Sequence, residues 1–215
     1  MKTTQKLGGW ASFYLAAAYL VTMIIFLFVL DYASIVDPLQ KITLLIDQQG
    51  MIILTNILSY VIFGIVLVLL MLALRERLNA ASSTLVQLAS ILGFIWGGSL
   101  VASGLVANAG IAPVVSLYQS NPAQAAQLWS IYETVSAGLG GGNSEILGGL
   151  MTLLISIAAL KSAKLPKALN MLGLLVGCVG IVTTIPALVS LTAVFGIGQM
   201  VWFVWLGIVL FRKEN

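Results

Sequence analysis

Six long apolar stretches, 10–30, 51–74, 85–106, 144–160, 168–188 and 191–211, alternate with polar gaps along the chain. At a rise of about 1.5 Å per residue, about 20 apolar residues cross ~30 Å of hydrocarbon. Five of the stretches reach that length with no charged residue inside them. The fourth is shorter, contains Glu145, and reaches it only by extending back through the glycines before it. The pattern predicts an all-α fold: a polytopic transmembrane bundle of six helices, forming one domain over 1–215.

Two gaps are long enough to hold structure of their own. The segment 31–50 has a turn signal at Asp37-Pro38, followed by Leu39, Ile42, Leu44, Leu45 and Ile46. That second part reads as a short amphipathic piece lying at the membrane interface. The segment 107–143 holds Pro113, then Asn121-Pro122 as a turn and helix start, and 124–136 reads as a helix. Counting back from Lys161 puts Glu145 ~24 Å above that lysine and Glu133 well outside the hydrocarbon. This favours a short outer helix before the fourth span over one long helix running through the glycines at 138–142. The stretches 7–24, 85–102 and 169–186 share scattered small residues at their starts, and each returning stretch ends in an apolar run and then bases. Three hairpin repeats in one orientation would produce that pattern.

Charge changes the picture by orienting it. Of ten Lys and Arg residues, nine lie in gaps that alternate to one side: Lys2 and Lys6, Arg75 and Arg77, Lys161, Lys164 and Lys167, Arg212 and Lys213. Only Lys41 lies on the other side, beside Asp31, Asp37 and Asp47. Short loops retain Lys and Arg on the cytoplasmic side, so both termini are expected to be cytoplasmic. The bases are split over short segments next to spans. They therefore suit the lipid bilayer and its anionic headgroups at the cytoplasmic face, not nucleic acid. The first apolar stretch is too long for a signal peptide and reads as a retained helix. A mean hydropathy of +1.08 with 8% charged residues fits a multi-pass protein of the inner (plasma) membrane.

Composition also removes whole classes of chemistry. With no His, the chain has no imidazole for haem, for a His-based zinc site or for a Ser–His dyad. No Lys lies inside an apolar stretch to form a retinal Schiff base. The lone Cys178 reads as a small buried hydrophobe. Gly138, Gly140, Gly141 and Gly142 lie on the outer side with no Lys-Ser/Thr after them, so they do not read as a phosphate loop. No cofactor and no metal site is expected, and no catalytic residue.

What remains is packing and a set of polar residues. Gly93-x-x-x-Gly97 and Gly173-x-x-x-Gly177 are small-residue faces. They suit close helix packing within the chain first, and protein partners or a homo-oligomer second. In the fourth stretch Glu145, Gly149, Thr152 and Ser156 share one helical face, which should point inward. By depth, Glu145, Asn56, Tyr60, Thr183, Thr184 and Gln199 fall in the outer half. The inner half holds only Ser12, Ser90, Thr152 and Ser156. The expectation is an outward-facing polar recess above an apolar floor, with Glu145, Asn56, Tyr60, Thr184 and Gln199 as candidate ligand-binding residues. Glu145 has a competing reading, since Asn143-Ser144-Glu145 also suits a helix start. Glu133 reads as a solvated charge, and Trp10, Trp202 and Trp205 as aromatic-belt or lipid-facing residues.

The run Ser144-Glu145-Ile146-Leu147-Gly148-Gly149-Leu150, then Ala159-Leu160-Lys161, Leu165-Pro166-Lys167 and Leu172-Gly173-Leu174-Leu175-Val176-Gly177, together with the ending Trp202-Phe203-Val204-Trp205-Leu206-Gly207, resembles a bacterial family of six-span membrane proteins filed as a domain of unknown function. Leu7-Gly8-Gly9-Trp10 is compatible with it. The resemblance implies a bacterial inner-membrane location and carries over no catalytic residues. The leading functional expectation is a sensor or binding protein whose recess takes a small ligand or cation. The alternatives are an accessory or packing subunit of a larger membrane complex, and a small transporter. An enzyme is least favoured, because neither Glu145 nor Glu133 has a catalytic partner at helical spacing.

Overall fold

The computed structural model describes residues 3–78, 83–140 and 145–212, and no strand occurs among them. The long helices are α1 (Thr3–Ile24), α4 (Phe63–Arg77), α5 (Thr84–Tyr118), α7 (Ile146–Ser162), α8 (Lys167–Val182) and α9 (Thr192–Phe211). Shorter ones are α2 (Pro38–Asp47), α3 (Gln49–Asn56) and α6 (Pro122–Gly138). Two π-helical segments interrupt the regular winding. Ile25–Val29 extends α1, and Ile57–Ile62 joins α3 to α4 into one continuous rod.

Among the described residues, four helical rods are long and apolar enough to cross a membrane: Thr3–Val29, Gln49–Arg77, Thr84–Tyr118 and Pro186–Phe211. The other two apolar helices, α7 and α8, have only 17 and 16 residues. For the fifth stretch this differs from the sequence expectation, which ran to residue 188. The α-helix stops at Val182, and the chain turns through Thr183 to Ile185 before a 3-10 segment at Pro186–Leu191. Pro186 has no N–H to continue a ladder, and it holds the preceding Ile185 in an extended conformation.

The six long rods form a closed ring. Successive contacts run α1–α4, α4–α5, α5–α7, α7–α8 and α8–α9, and α9 packs back on α1. Three of these seams bring glycines together. A Cβ on Gly97 would stand 2.7 Å from the Gly64 carbonyl oxygen, and one on Gly177 would stand 2.8 Å from that of Gly149. Near the basic end, Gly207 lies against Phe13 and the Gly9 backbone. The small-residue faces are thus occupied by neighbouring helices of the same chain. The ring is filled by large side chains, among them Leu15, Leu67, Met71, Trp96, Trp202 and Phe203, all nearly inaccessible. Trp202 is a correction: at 1% exposure it is central, because Gly173 opens the wall opposite its indole, whereas Trp10 is exposed.

A second core caps one end of the ring. Ile42 and Leu45 of α2, Ile52 of α3, Ile111 and Val114 of α5, and Ala125 and Trp129 of α6 are buried together. The amphipathic piece at 38–47 packs its buried side against α6. Its start is fixed by Asp37, whose carboxylate accepts from the Leu39 N–H at 3.0 Å, with Pro38 in the first turn. The third stretch also differs from expectation, since α5 continues past residue 106 and through Pro113 to Tyr118. Proline forfeits one ladder bond. Burial of Ile111 and Val114 against the cap, and the Asn108 side chain bonded to Asn56 and to the Ile53 carbonyl, offset that loss. Helix α6 ends at Gly138 and α7 begins at Ile146, so the two are separate helices.

Candidate functional site

Under the cap, between α1, the α3–α4 rod, α5 and the start of α7, lies a cavity of about 100 Å³. Its walls are Ala18, Tyr19 and Thr22 of α1; Ser59, Tyr60 and Phe63; Trp96 and Leu100 of α5; and Gly140 and Glu145. The π-helical segment explains why Ser59 and Tyr60 face it. A π turn shifts the side-chain register and strains the main-chain ladder, and such segments concentrate at functional positions. Here the Leu58 carbonyl accepts the Tyr14 hydroxyl at 2.7 Å, tying the segment to α1. Next to it the Thr22 hydroxyl is within bonding reach of the Ser59 hydroxyl and of the Ala18 carbonyl at 2.7 Å.

Glu145 is 8% exposed and stands at the N-cap of α7, yet its carboxylate makes no capping bond. Its main chain holds it in place. The Glu145 N–H donates to Thr183 Oγ1 at 2.9 Å, the Thr183 hydroxyl donates to the Gly180 carbonyl at 2.7 Å, and the Glu145 carbonyl accepts from Gly149 at 2.7 Å. With the backbone so fixed, the carboxyl group is left to the cavity. Among the described residues no Lys or Arg pairs with it. Asn143 and Ser144, the expected capping residues, lie outside the described residues. Trp96 is buried beside it with its indole N–H lacking an acceptor. The Trp96 ring edge sits where Gly148 leaves room, as a Cβ there would approach Cζ2 to 2.8 Å. Phe63 makes edge-to-face contact with both Trp96 and Tyr19, at 6.0 and 5.4 Å between centroids.

Two further chambers follow toward the cap. One of about 210 Å³ is bordered by Tyr32, Asn56, Tyr60, Trp129 and Glu133, and one of about 110 Å³ by Lys41, Trp129 and Glu133. Tyr60 is shared by the first and second chambers, and Glu133 by the second and third. Glu133 is not the solvated charge the sequence suggests. It accepts a short hydrogen bond from the Tyr32 hydroxyl and an ion pair from Lys41 at 3.5 Å. The Lys41 ammonium also lies 5.0 Å from the Tyr32 ring centroid, and Trp129 Nε1 donates to the Tyr32 oxygen at 3.0 Å. Burial, reinforced by the Glu133 hydrogen bond and charge, holds the Tyr32 phenol well above its ordinary range.

The sequence-derived candidates separate into three groups. Glu145 and Tyr60 share the first chamber, and Asn56 joins Tyr60 in the second. Thr184 is exposed and borders no described chamber; its neighbour Thr183, at the end of α8, is the buried one. Gln199 is fully buried, but it sits in the wall between α7 and α9, accepting from the Thr152 hydroxyl at 3.1 Å. It borders none of the described chambers. Tyr19, Thr22, Ser59, Phe63 and Trp96 escaped sequence reasoning because aromatic and small hydroxyl residues inside apolar stretches look like packing. No family model, curated protein or solved structure matches this chain, and the recess itself is what speaks for the function.

Proposed function

We propose that this chain is a multi-pass inner-membrane protein with six spans and both termini cytoplasmic, and that its recess binds a small cation from the outer side. Support for the spans comes from the ring of six apolar rods, with α7 and α8 as short ones of about 25 Å. Arg75, Arg77, Lys161, Lys167 and Arg212 gather at the ends of α4, α7, α8 and α9 remote from the cap, the distribution favoured on a cytoplasmic face. The resemblance to a bacterial six-span family points the same way.

The observation that carries the binding proposal is Glu145. A carboxylate held in a low-dielectric site is costly unless a partner compensates it. In the described residues it has a cavity and no cation. A bound cation supplies that partner. The test is thermal stability of the full chain in lipid nanodiscs against a panel of inorganic and organic cations. A ligand that binds the folded state raises apparent stability by about 2.7 kcal/mol at a hundredfold excess over Kd. The expected result is that some member of the panel stabilises the native chain and loses its effect in Glu145→Gln, which keeps size and hydrogen bonding while removing the charge. A panel without effect, or an effect equal in the variant, overturns the proposal. Neighbouring chambers that share Tyr60 and Glu133 as walls also favour a transporter reading, which uptake of the same cation into proteoliposomes tests directly.

A further inference from the structure

The three chambers differ in what they already contain. In the outermost, the Lys41 ammonium lies beside the Glu133 carboxylate and over the Tyr32 ring. The chain's own alkylammonium is therefore seated on an aromatic ring and a carboxylate, with the two attractions acting together. The innermost chamber has the same ingredients in greater number, namely Glu145 with Tyr19, Tyr60, Phe63 and Trp96, and no side-chain ammonium among the described residues to fill it.

We infer that the ligand of the recess is a small organic ammonium, held by the Glu145 carboxylate and the rings of Tyr19, Tyr60, Phe63 and Trp96. This rests on the reading of the recess as a cation site, and names its ligand class. The wall chemistry argues against a bare metal ion. Calcium takes six to eight oxygen ligands, and magnesium requires a near-octahedral set. Glu145 provides the one carboxylate in the lining, and no cluster of three His, Cys, Asp or Glu residues occurs among the described residues. Aromatic walls with one counter-charge are instead the arrangement that recognises substituted ammonium groups. Size sets the upper bound. A volume of about 100 Å³ is that of about three waters in the liquid, enough for a head group of a few heavy atoms.

The experiment uses the full chain in nanodiscs, titrated at constant ionic strength with methylammonium, tetramethylammonium, tetrabutylammonium, sodium, potassium and calcium chlorides. Tryptophan fluorescence reports binding, Trp96→Phe identifies the part of the signal that comes from Trp96, and thermal stability of the ligand-free protein confirms that each variant is folded. The expected result is saturable binding of methylammonium and tetramethylammonium, none of the bulky tetrabutylammonium, and no response to the metal ions. Glu145→Gln should weaken binding at least about tenfold. Tyr60→Phe, which keeps the ring, should stay within about threefold, and Tyr60→Leu should lose about tenfold. Saturable binding of sodium, potassium or calcium without the ammonium ions overturns the ligand class and leaves the cation site standing. No binding by any member of the panel overturns both. Ammonium binding that is indifferent to Glu145→Gln and Tyr60→Leu places it outside the recess and overturns the inference.

Discussion

Gly97 and Gly98 are adjacent on α5 and meet opposite surroundings, which makes them a matched pair for testing how the ring is held. A Cβ on Gly97 would lie 2.7 Å from the Gly64 carbonyl oxygen, whereas nothing lies within 4 Å of one on Gly98. To regain ordinary contact α4 and α5 would have to part by about 0.7 Å, and a backbone carbonyl cannot swing aside as a side chain can. Overpacking of this kind costs about 1–3 kcal/mol, while exchanging Gly for Ala in a helix returns up to about 1 kcal/mol. Gly97→Ala should therefore destabilise by up to about 3 kcal/mol, centred near about 1.5 kcal/mol, and Gly98→Ala should be neutral or stabilising by up to about 1 kcal/mol. Equilibrium unfolding of the purified chain in mixed micelles of increasing sodium dodecyl sulfate fraction, followed by far-ultraviolet circular dichroism, measures both. Because Gly64 and Gly97 share one contact, Gly64→Ala and Gly97→Ala should also be non-additive. Equal stability of Gly97→Ala and Gly98→Ala would refute a glycine seam between α4 and α5.

The cap offers another test: Tyr32→Phe strips Trp129 Nε1 of its acceptor and Glu133 of a donor, and should weaken the cap by about 1–3 kcal/mol, read as faster hydrogen exchange in α6. The folded-state pKa of Tyr32 is raised, so its contribution is full below the unfolded value near pH 10 and is lost as pH climbs toward the folded one. Alkaline loosening of the cap should accordingly be smaller in the Phe variant than in the native chain, and an identical alkaline profile would discount the Tyr32–Glu133 bond. For topology, cysteine labelling in intact cells after replacing Cys178 should find Thr3 protected and Asp47 and Ser120 reactive from outside; a reactive Thr3 would reverse the orientation.

Apolar length marked out the helical rods because in hydrocarbon a chain satisfies its own backbone groups, and a helix does so within one segment. Helix ends were less legible. The third apolar stretch ended at residue 106, yet α5 runs on through Pro113, since the cap buries the next turn and Asn108 braces the rod from the side. The fifth stretch failed in the other direction: apolar residues continue beyond Val182 while the helix does not. In the recess, counting residues from the basic end put Glu145 and Tyr60 at one height, and the two share the first chamber. Height says nothing about azimuth, so Gln199 and Thr184 were grouped with them although one faces α7 and the other is exposed. Azimuth is set by packing, here by Gly148 making room for Trp96 and by the π-helical turn redirecting Ser59 and Tyr60. Neither effect has a signature in hydropathy.

The reach of α5 has a mechanical consequence. Its 35 residues extend about 52 Å, well beyond ~30 Å of hydrocarbon. The same rod carries Trp96 and Leu100 in the ring and Ile111 and Val114 in the cap. Ser103 fastens it to α6 midway, 2.9 Å from the Ser136 carbonyl. A helix bends far less readily than a loop, so it acts as a mast whose upper end and lower end tilt together. Force applied to the cap, by an antibody fragment clasping α6 or by the surrounding envelope, is delivered about 22 Å down the mast to the indole of Trp96. The cap is in that sense a handle on the recess.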